Sequence, residues 1–134
     1  MTTRVLVFIV LFVAGAGGCG GTEDNREPVW GYIAPAIIAP NCATSSCHSQ
    51  GSAVAGLDLS TAAAAYKSLT QLHLPPLMGI VPTRPLVNPY NPDESRLMNM
   101  LRASGTWRMP PDRPLAEGDI DLIGRWIATG AANN

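Results

Sequence analysis

The sequence has few charged and few aromatic side chains, and each shortage excludes a class of function or structure. Lysine and arginine number nine against ten acidic residues, which gives a formal net charge of −1 over 134 residues. So little positive charge offers no electrostatic surface to a nucleic acid, and we expect no nucleic-acid partner. Aromatic residues make up 6% of the chain, while twelve prolines and thirteen glycines predict long connections. A core with so few aromatic side chains needs additional stabilisation from a disulfide, a metal or a cofactor.

Cysteine is also scarce, and the first of the three cysteines follows an export signal. One basic residue, Arg4, precedes the apolar run VLVFIVLFVAGAGG, which ends in small residues directly before Cys19. The run is too short for a secure membrane span, and its composition is typical of a signal peptide. A cysteine at this place indicates a lipoprotein signal over residues 1–18, with acylation of Cys19. The alternative is ordinary cleavage near Cys19, which leaves a free thiol.

The rest of the chain divides into a tether and one small domain. Residues 19–29 are mostly polar and contain glycine, as a tether between a lipid anchor and a domain would be. Residues 30–134 then form a single domain, because the remaining length has no room for a second core. We expect an exported protein of the cell envelope that attaches to a membrane through Cys19.

Four segments carry helical patterns, and none reads as a convincing strand. The predicted helices are 28–40, beginning at about Pro35; 59–70, capped by Ser60; 93–103; and 116–130, with Ile120, Ile123 and Ile127 on one face and Gly130 at its end. The stretch 75–93 carries six prolines and must be a loop. We predict an all-α domain with long proline-rich loops.

The segment NCATSSCHSQG holds Cys42, Cys47 and His48 within one short stretch. Positions five apart on a regular helix are rotated by about 500°, or roughly 140° out of register, so the two thiols cannot share a helix face. The intervening ATSS must therefore leave any helix. Three chemistries use such a cluster: a disulfide between the two cysteines, a zinc site that still needs a fourth ligand, and a c-type haem attachment with His48 on the iron.

Three stretches resemble one family. IIAPNCATSSCHSQGSAVAGLDLS is similar to the opening of the cytochrome c-like domains of exported bacterial lipoproteins, some of which have an expanded Cys-x3-Cys-His or Cys-x4-Cys-His motif. LVNPYNPDESRLMNML resembles their V-x-P-x-x-P-x-x-S-x-L segment, and RMPPDRPLAEGDIDLIGRWIATGA resembles their MPP loop and closing helix. Together the three cover residues 37–60, 86–101 and 108–131.

The resemblance implies a mono-haem domain whose first and last helices cross. It places the haem c thioethers on Cys42 and Cys47, the proximal iron ligand on His48 and the distal ligand on Met109. It also implies one-electron transfer with redox partner proteins whose identity the sequence does not give. This chain departs from the family in the wide cysteine spacing and in Ala116, where the family often has a Ser or Thr cap.

Other residues have simpler interpretations. Met78, Met98 and Met100 fit as loop or core residues, and His73 is an alternative sixth ligand. Trp30, Tyr32 and Trp107 fit either a haem edge or ordinary packing, whereas Trp126 is expected in the core against the first helix. No acid, base and nucleophile arrangement is recognisable, so we expect no enzymatic activity of its own. The competing hypothesis is a structural or interaction lipoprotein stapled by a Cys42–Cys47 disulfide.

Overall fold

The computed structural model describes residues 24–72 and 85–134. About half of these residues are helical and none of them lies in a strand, which confirms the predicted all-α class. The predicted signal peptide, Cys19, His73 and Met78 lie outside the described residues. Among the helices of the two described ranges, none is long and apolar enough to span a bilayer.

The first helical stretch, 30–42, is called α1 and consists of three successive segments. An α-helical turn, Trp30–Ile33, leads into a π-helical segment, Ala34–Ile38, and then into a second α-helical turn, Ala39–Cys42. Each segment after the first has a proline near its start, and a proline supplies no amide hydrogen. The wider π-helical turn accommodates Pro35, whereas Pro40 lies near the start of the α-helical turn that follows. The prediction that it begins near Pro35 is wrong, since it already begins at Trp30.

Three more helices follow, and their starts differ slightly from those predicted. Helix α2 is Ala62–Gln71, α3 is Arg96–Arg102 and α4 is Glu117–Ala128. The cap of α2 is Thr61, whose hydroxyl accepts a hydrogen bond from the Ala64 amide at 3.1 Å, so the prediction of Ser60 is wrong. Ser60 instead donates to Asp58 at 2.6 Å. Single 3-10 turns lie at Val54–Gly56, Pro92–Glu94 and Gly105–Trp107.

The core joins α1 to α4 through two tryptophans. The rings of Trp30 and Trp126 stack with their centroids 4.8 Å apart, and Tyr66 of α2 meets both rings edge-on. Each indole N–H donates to a main-chain carbonyl at about 3 Å, so neither buried donor is left unsatisfied. Ile123 and Ile127 are fully buried beside Trp126, as predicted. The first and last helices are thereby packed together.

The loop before α3 is fixed by one buried hydroxyl. Ser95 has no exposed surface; its hydroxyl accepts from the Asn88 amide at 2.8 Å and donates to the Asn91 carbonyl at 3.0 Å. The Leu97 amide donates to the Leu86 carbonyl at 2.9 Å, so part of the first turn of α3 is satisfied by this loop. The loop and α3 therefore form one unit, from which the chain runs on towards Met109.

The far end of the chain caps α1. Val29, at the N-cap position, offers no side-chain hydrogen bond. The side-chain oxygen of Asn134 accepts from the Trp30 amide at 2.9 Å, and its main-chain oxygen accepts from the Gly31 amide at 2.7 Å. Two amides that a helix start leaves without partners are thus satisfied by a residue 104 positions away.

Candidate functional site

The predicted site residues that the structure describes line one cavity. It has a volume of about 170 Å³ and lies between the end of α1, the loop after it and the loop that follows the Gly105–Trp107 turn. Its walls are Asn41, Cys42, Ser46, Cys47, His48, Val54, Met109, Pro110 and Pro111. The structure therefore brings both thiols, the imidazole and the distant methionine together.

The loop between the two cysteines folds back on itself. Helix α1 ends at Cys42, and the Cys47 amide donates to the Thr44 carbonyl at 3.0 Å in a tight turn. The His48 amide then donates to the Cys42 carbonyl at 3.1 Å, which closes the loop at its base. This closure confirms that ATSS leaves the helix. It also brings the Cys47 side chain to the cavity that Cys42 lines.

His48 is held in one tautomer by a main-chain carbonyl. Its Nδ1 lies 3.0 Å from the Val54 carbonyl oxygen, which can only accept, so Nδ1 carries the proton. The lone pair is then on Nε2, the arrangement in which an imidazole can bind a metal ion while its other nitrogen donates to a carbonyl. The Val54 amide in turn donates to the Cys47 carbonyl at 3.0 Å. Val54 thus orients His48 through its main chain.

The backbone around Val54 is strained. Ala53 has φ 38° and Ala55 has φ 58°, both in the left-handed region where a side chain is unfavourable. Each such residue costs roughly 1–2 kcal/mol relative to ordinary helical backbone. These two alanines flank Val54, whose carbonyl oxygen accepts the hydrogen bond from His48. Strain of this kind persists where the surrounding structure holds the backbone in one conformation. Here the strained residues flank Val54, which lines the cavity.

The two thiols are free in the structure and differ in their surroundings. Burial, together with the neighbouring Cys47, raises the pKa of Cys42 from its usual 9.0 to about 11. The Cys47 sulfur has a hydroxyl neighbour, Ser46, at 3.7 Å. Cys42 is therefore a neutral thiol at physiological pH, and it lies deeper in the fold.

The Met109 loop is held to α3 and braced by an arginine. The Met109 amide donates to the Met100 carbonyl at 3.0 Å. The guanidinium of Arg108 donates to the carbonyls of Pro110 and Pro111, at 3.3 and 3.0 Å. The peptide bond between Met109 and Pro110 is cis. The hydrogen bonds of Met109 and Arg108 fix the methionine backbone at the wall of the cavity.

Other sequence candidates lie elsewhere. Met98 is buried in the core against α4, which leaves it away from the cavity. Trp30 is also a core residue, and Trp107 is 54% exposed without being part of the cavity wall. Sequence reasoning missed Val54 and Asn41. A main-chain carbonyl leaves no trace in the residue type, so nothing in the sequence marks Val54.

The donor set suits a haem better than a small ion. Within residues 24–72 and 85–134, no three His, Cys, Asp or Glu side chains are placed to share one metal ion. A thioether-linked haem does not require the thiols to converge, because only the imidazole and the methionine sulfur meet the iron. The cavity is smaller than the roughly 300–1,000 Å³ typical of ligand sites. A haem-sized group therefore requires the cysteine loop and the Met109 loop to move apart.

Comparison of the chain with protein-family models, with curated proteins and with solved structures finds no match. A function for this chain is therefore inferred from the geometry of the cavity and from the sequence pattern.

Proposed function

We propose that this protein is a one-electron carrier of the cell envelope that holds one covalent haem c. In this proposal Cys42 and Cys47 would form the thioethers, and His48 and Met109 would supply the protein ligands of the iron. Acylated Cys19 anchors the domain to a membrane, and the domain has the cytochrome c-like fold that the sequence resembles. A haem supplies an iron that alternates between two oxidation states, and paired His and Met ligands raise its reduction potential.

The observation that carries the proposal is the meeting of four side chains around one cavity. Three of them come from the contiguous Cys42–His48 loop, whereas Met109 comes from a loop held against α3. A disulfide alone needs neither an oriented imidazole nor a methionine in the wall of the same cavity. The hydrogen bond from His48 Nδ1 to Val54 leaves Nε2 available, which is the state that an axial ligand requires.

Each residue of the site has a separate task in this function. The closed loop of residues 42–48 presents two thiols on one wall, which fixes where the group is attached. Val54 holds the imidazole ring in place. Met109 offers a soft sulfur that binds iron without taking up a proton. Pro110 and Pro111 stiffen the backbone behind that sulfur, which would limit how far the ligand can move from the iron.

An absorption spectrum of the purified protein tests the proposal directly. Protein expressed together with a working haem-attachment system should show a Soret band and sharp reduced α and β bands. The haem should stay with the polypeptide on a denaturing gel and stain for peroxidase activity. The double variant Cys42→Ala/Cys47→Ala should lose the stain, whereas the control Cys19→Ala, which changes the third cysteine, should keep it.

The competing function makes the opposite prediction in the same experiment. A structural lipoprotein stapled by Cys42 and Cys47 gives no Soret band, no stain and no thiol available to an alkylating reagent until a reductant is added. A wild-type band that never stains, with both thiols protected, overturns the haem proposal.

A further inference from the structure

A group of alternating charges, Asp24, Arg26, Asp119 and Arg125, holds the end of the tether on helix α4. Arg26 Nη1 donates to the Asp119 carboxylate at 2.7 Å, across 93 residues of sequence. Its Nε and Nη2 donate to Asp24 at 2.9 and 2.6 Å. Asp24 lies 3.8 Å from Arg125 Nη2, a buried atom that has no hydrogen-bond partner. We call these four residues the clamp.

Three of the four clamp residues meet at the start of α4, whereas Arg125 lies in its last turn. Asp24 and Arg26 approach the first turn of α4, where a Cβ added at Gly118 would lie 3.4 Å from each of them. An acidic side chain is favoured there by the exposed amides of the helix N-terminus. Arg26 also lies 5.8 Å from the Tyr32 ring centroid, above a side chain of α1. Residues 24–26 are thus part of the folded domain.

The clamp also lies near the cavity. Asp119 lines a small surface hollow together with Asn41, and Asn41 is itself a wall residue of the cavity. Residues 24–28 themselves line a different hollow, together with Pro92, Arg102 and Ala128, so Asp119 is the clamp residue that lies towards the cavity. Two carboxylates and two guanidiniums give the clamp itself no net charge.

The length of the remaining tether decides how far the domain stands from its anchor. From Cys19 to Asp24 the chain takes five Cα–Cα steps, which span at most about 18 Å even when extended. Without the clamp the free chain would reach from Cys19 to Trp30, at most about 40 Å. The clamp therefore roughly halves the reach of the anchor.

We propose that the clamp holds the domain close to the lipid surface, so that this protein works at the bilayer and not at the end of a free tether. The inference rests on the proposed function for the lipid on Cys19 and for the haem. The surface that it assigns to the bilayer is the one around Asp24, Arg26 and Asp119.

Energy transfer between labelled lipid and haem tests this placement. The full-length lipidated holoprotein is reconstituted in phosphatidylcholine vesicles that carry a small fraction of dansyl-labelled phosphatidylethanolamine, whose emission the haem absorbs. The wild type should quench the dansyl emission strongly. Arg26→Ala should reduce the quenching by about twofold or more, because the reach of the tether doubles. Asp119→Asn, which keeps Arg26, should do the same.

Two controls calibrate the readout. Lys67→Ala removes the same charge from an exposed position on α2 whose neighbours are not clamp residues. This variant should quench like the wild type. Five Gly and Ser residues inserted after Gly21 lengthen the flexible tether and should reproduce the effect of Arg26→Ala. If the insertion lowers quenching while both clamp variants match the wild type, the clamp does not set the distance and the inference is wrong.

Failure of the proposed function is detected by measurements other than the comparison of clamp variants. A protein without a Soret band refutes the haem, and the clamp is then tested with tryptophan as donor and the same dansyl lipid as acceptor, with the same variants. A protein that does not associate with the vesicles refutes the anchor and overturns this inference, whatever its absorption spectrum.

Discussion

At the scale of single residues, the ring of His48 is oriented by a carbonyl that lies between two alanines with left-handed backbone. The ring itself is partly exposed, so packing alone would not hold it. The hydrogen bond from Nδ1 to Val54, at 3.0 Å, fixes both the tautomer and the direction of Nε2. Strain in the backbone at Ala53 and Ala55 is the cost of placing that carbonyl.

Met109→Ala should open one side of the proposed haem without releasing it. The thioethers are untouched, so the denatured band should still stain for haem. The weak charge-transfer absorption of a ferric iron–methionine bond should vanish, the reduction potential should fall, and carbon monoxide should bind the ferrous form. Met98→Ala is the matched control, because Met98 is a core methionine 1% exposed and away from the cavity. If Met109→Ala keeps the parent spectrum and excludes carbon monoxide, another residue is the ligand, and His73 is tested next.

The two cysteines should differ in reactivity before any haem is attached. Burial raises the pKa of Cys42 from 9.0 to about 11. Since the thiolate is the reactive form, Cys42 should react about 100-fold more slowly than an unperturbed cysteine at pH 8. Reduced apoprotein treated briefly with iodoacetamide should be labelled on Cys47 first, as peptide mass spectrometry would show. The same experiment in denaturant is the control and should label both equally. Equal labelling in the native state would contradict the deeper position of Cys42.

At the scale of elements, the end of α4 depends on a glycine that no other residue replaces without strain. Gly130 has φ 106°, and a Cβ added there would lie 2.9 Å from the ring of Tyr90. The Tyr90 amide donates to the Ile127 carbonyl at 2.8 Å, which fixes the tyrosine backbone at the helix end. The loop before α3 and the end of α4 are thereby fastened together.

Gly130→Ala should destabilise the fold by at least about 1 kcal/mol, because the alanine side chain is unfavourable at positive φ. Thermal unfolding followed by circular dichroism measures the effect. Gly51→Ala serves as the control, since Gly51 has no neighbour within 4 Å of an added Cβ. In the Tyr90→Ala background the loss should be smaller, because the ring that meets the new Cβ is gone. An unchanged melting temperature for Gly130→Ala would contradict the geometry of this helix end.

The sequence predicted the existence of the four helices better than their starts, and the reasons are physical. The periodic spacing of Ile120, Ile123 and Ile127 predicts α4, because a buried face must repeat along a helix. The start of α1 was missed since its cap comes from Asn134, which no local pattern near Trp30 reveals. Ser60 and Thr61 are both good caps, and only tertiary packing decides between them.

The candidate site was predictable to the extent that its residues are contiguous. Cys42, Cys47 and His48 are adjacent enough for their spacing to suggest a chemistry. Only the family resemblance predicted that this loop and Met109 belong to one site. In the structure their side chains line one cavity. Main-chain partners such as the Val54 carbonyl, and charge pairs across 93 residues such as Arg26 with Asp119, have no local signal.

At the scale of the whole molecule, Asn134 should matter to stability although it lies in no helix. Asn134→Ala removes the side-chain oxygen that accepts from the Trp30 amide at 2.9 Å, and loss of such a cap costs about 1 kcal/mol. For a domain of this size that lowers the melting temperature by about 4–8 °C. Asn133→Ala, at the exposed neighbouring position, is the matched control and should melt like the wild type. Equal melting of the two variants would show that α1 does not need this cap.

The clamp should make the domain sensitive to acid. The side-chain hydrogen bond from Arg26 holds the pKa of Asp24 at about 2, below its usual 3.8. A carboxylate with a lowered pKa in the folded state stabilises the fold above pH 4 and loses that contribution as the pH falls towards 2. The free energy of unfolding should therefore decrease between pH 4 and 2 less steeply in Asp24→Asn than in the wild type. Identical slopes in urea titrations at several pH values would contradict this role.

The bond between Asn134 and the start of α1 also sets the order of events when the chain is exported. Under the proposed function the polypeptide crosses a membrane N-terminus first, so the Cys42–His48 loop emerges long before Asn134, which is 104 residues beyond Trp30. Contacts over such separations form late in folding. Until then the cysteine loop and the Met109 loop belong to an open chain, and a bulky group can reach both thiols. The narrow cavity then does not block entry of the group, although the folded protein must still hold the cysteine loop and the Met109 loop further apart to house it.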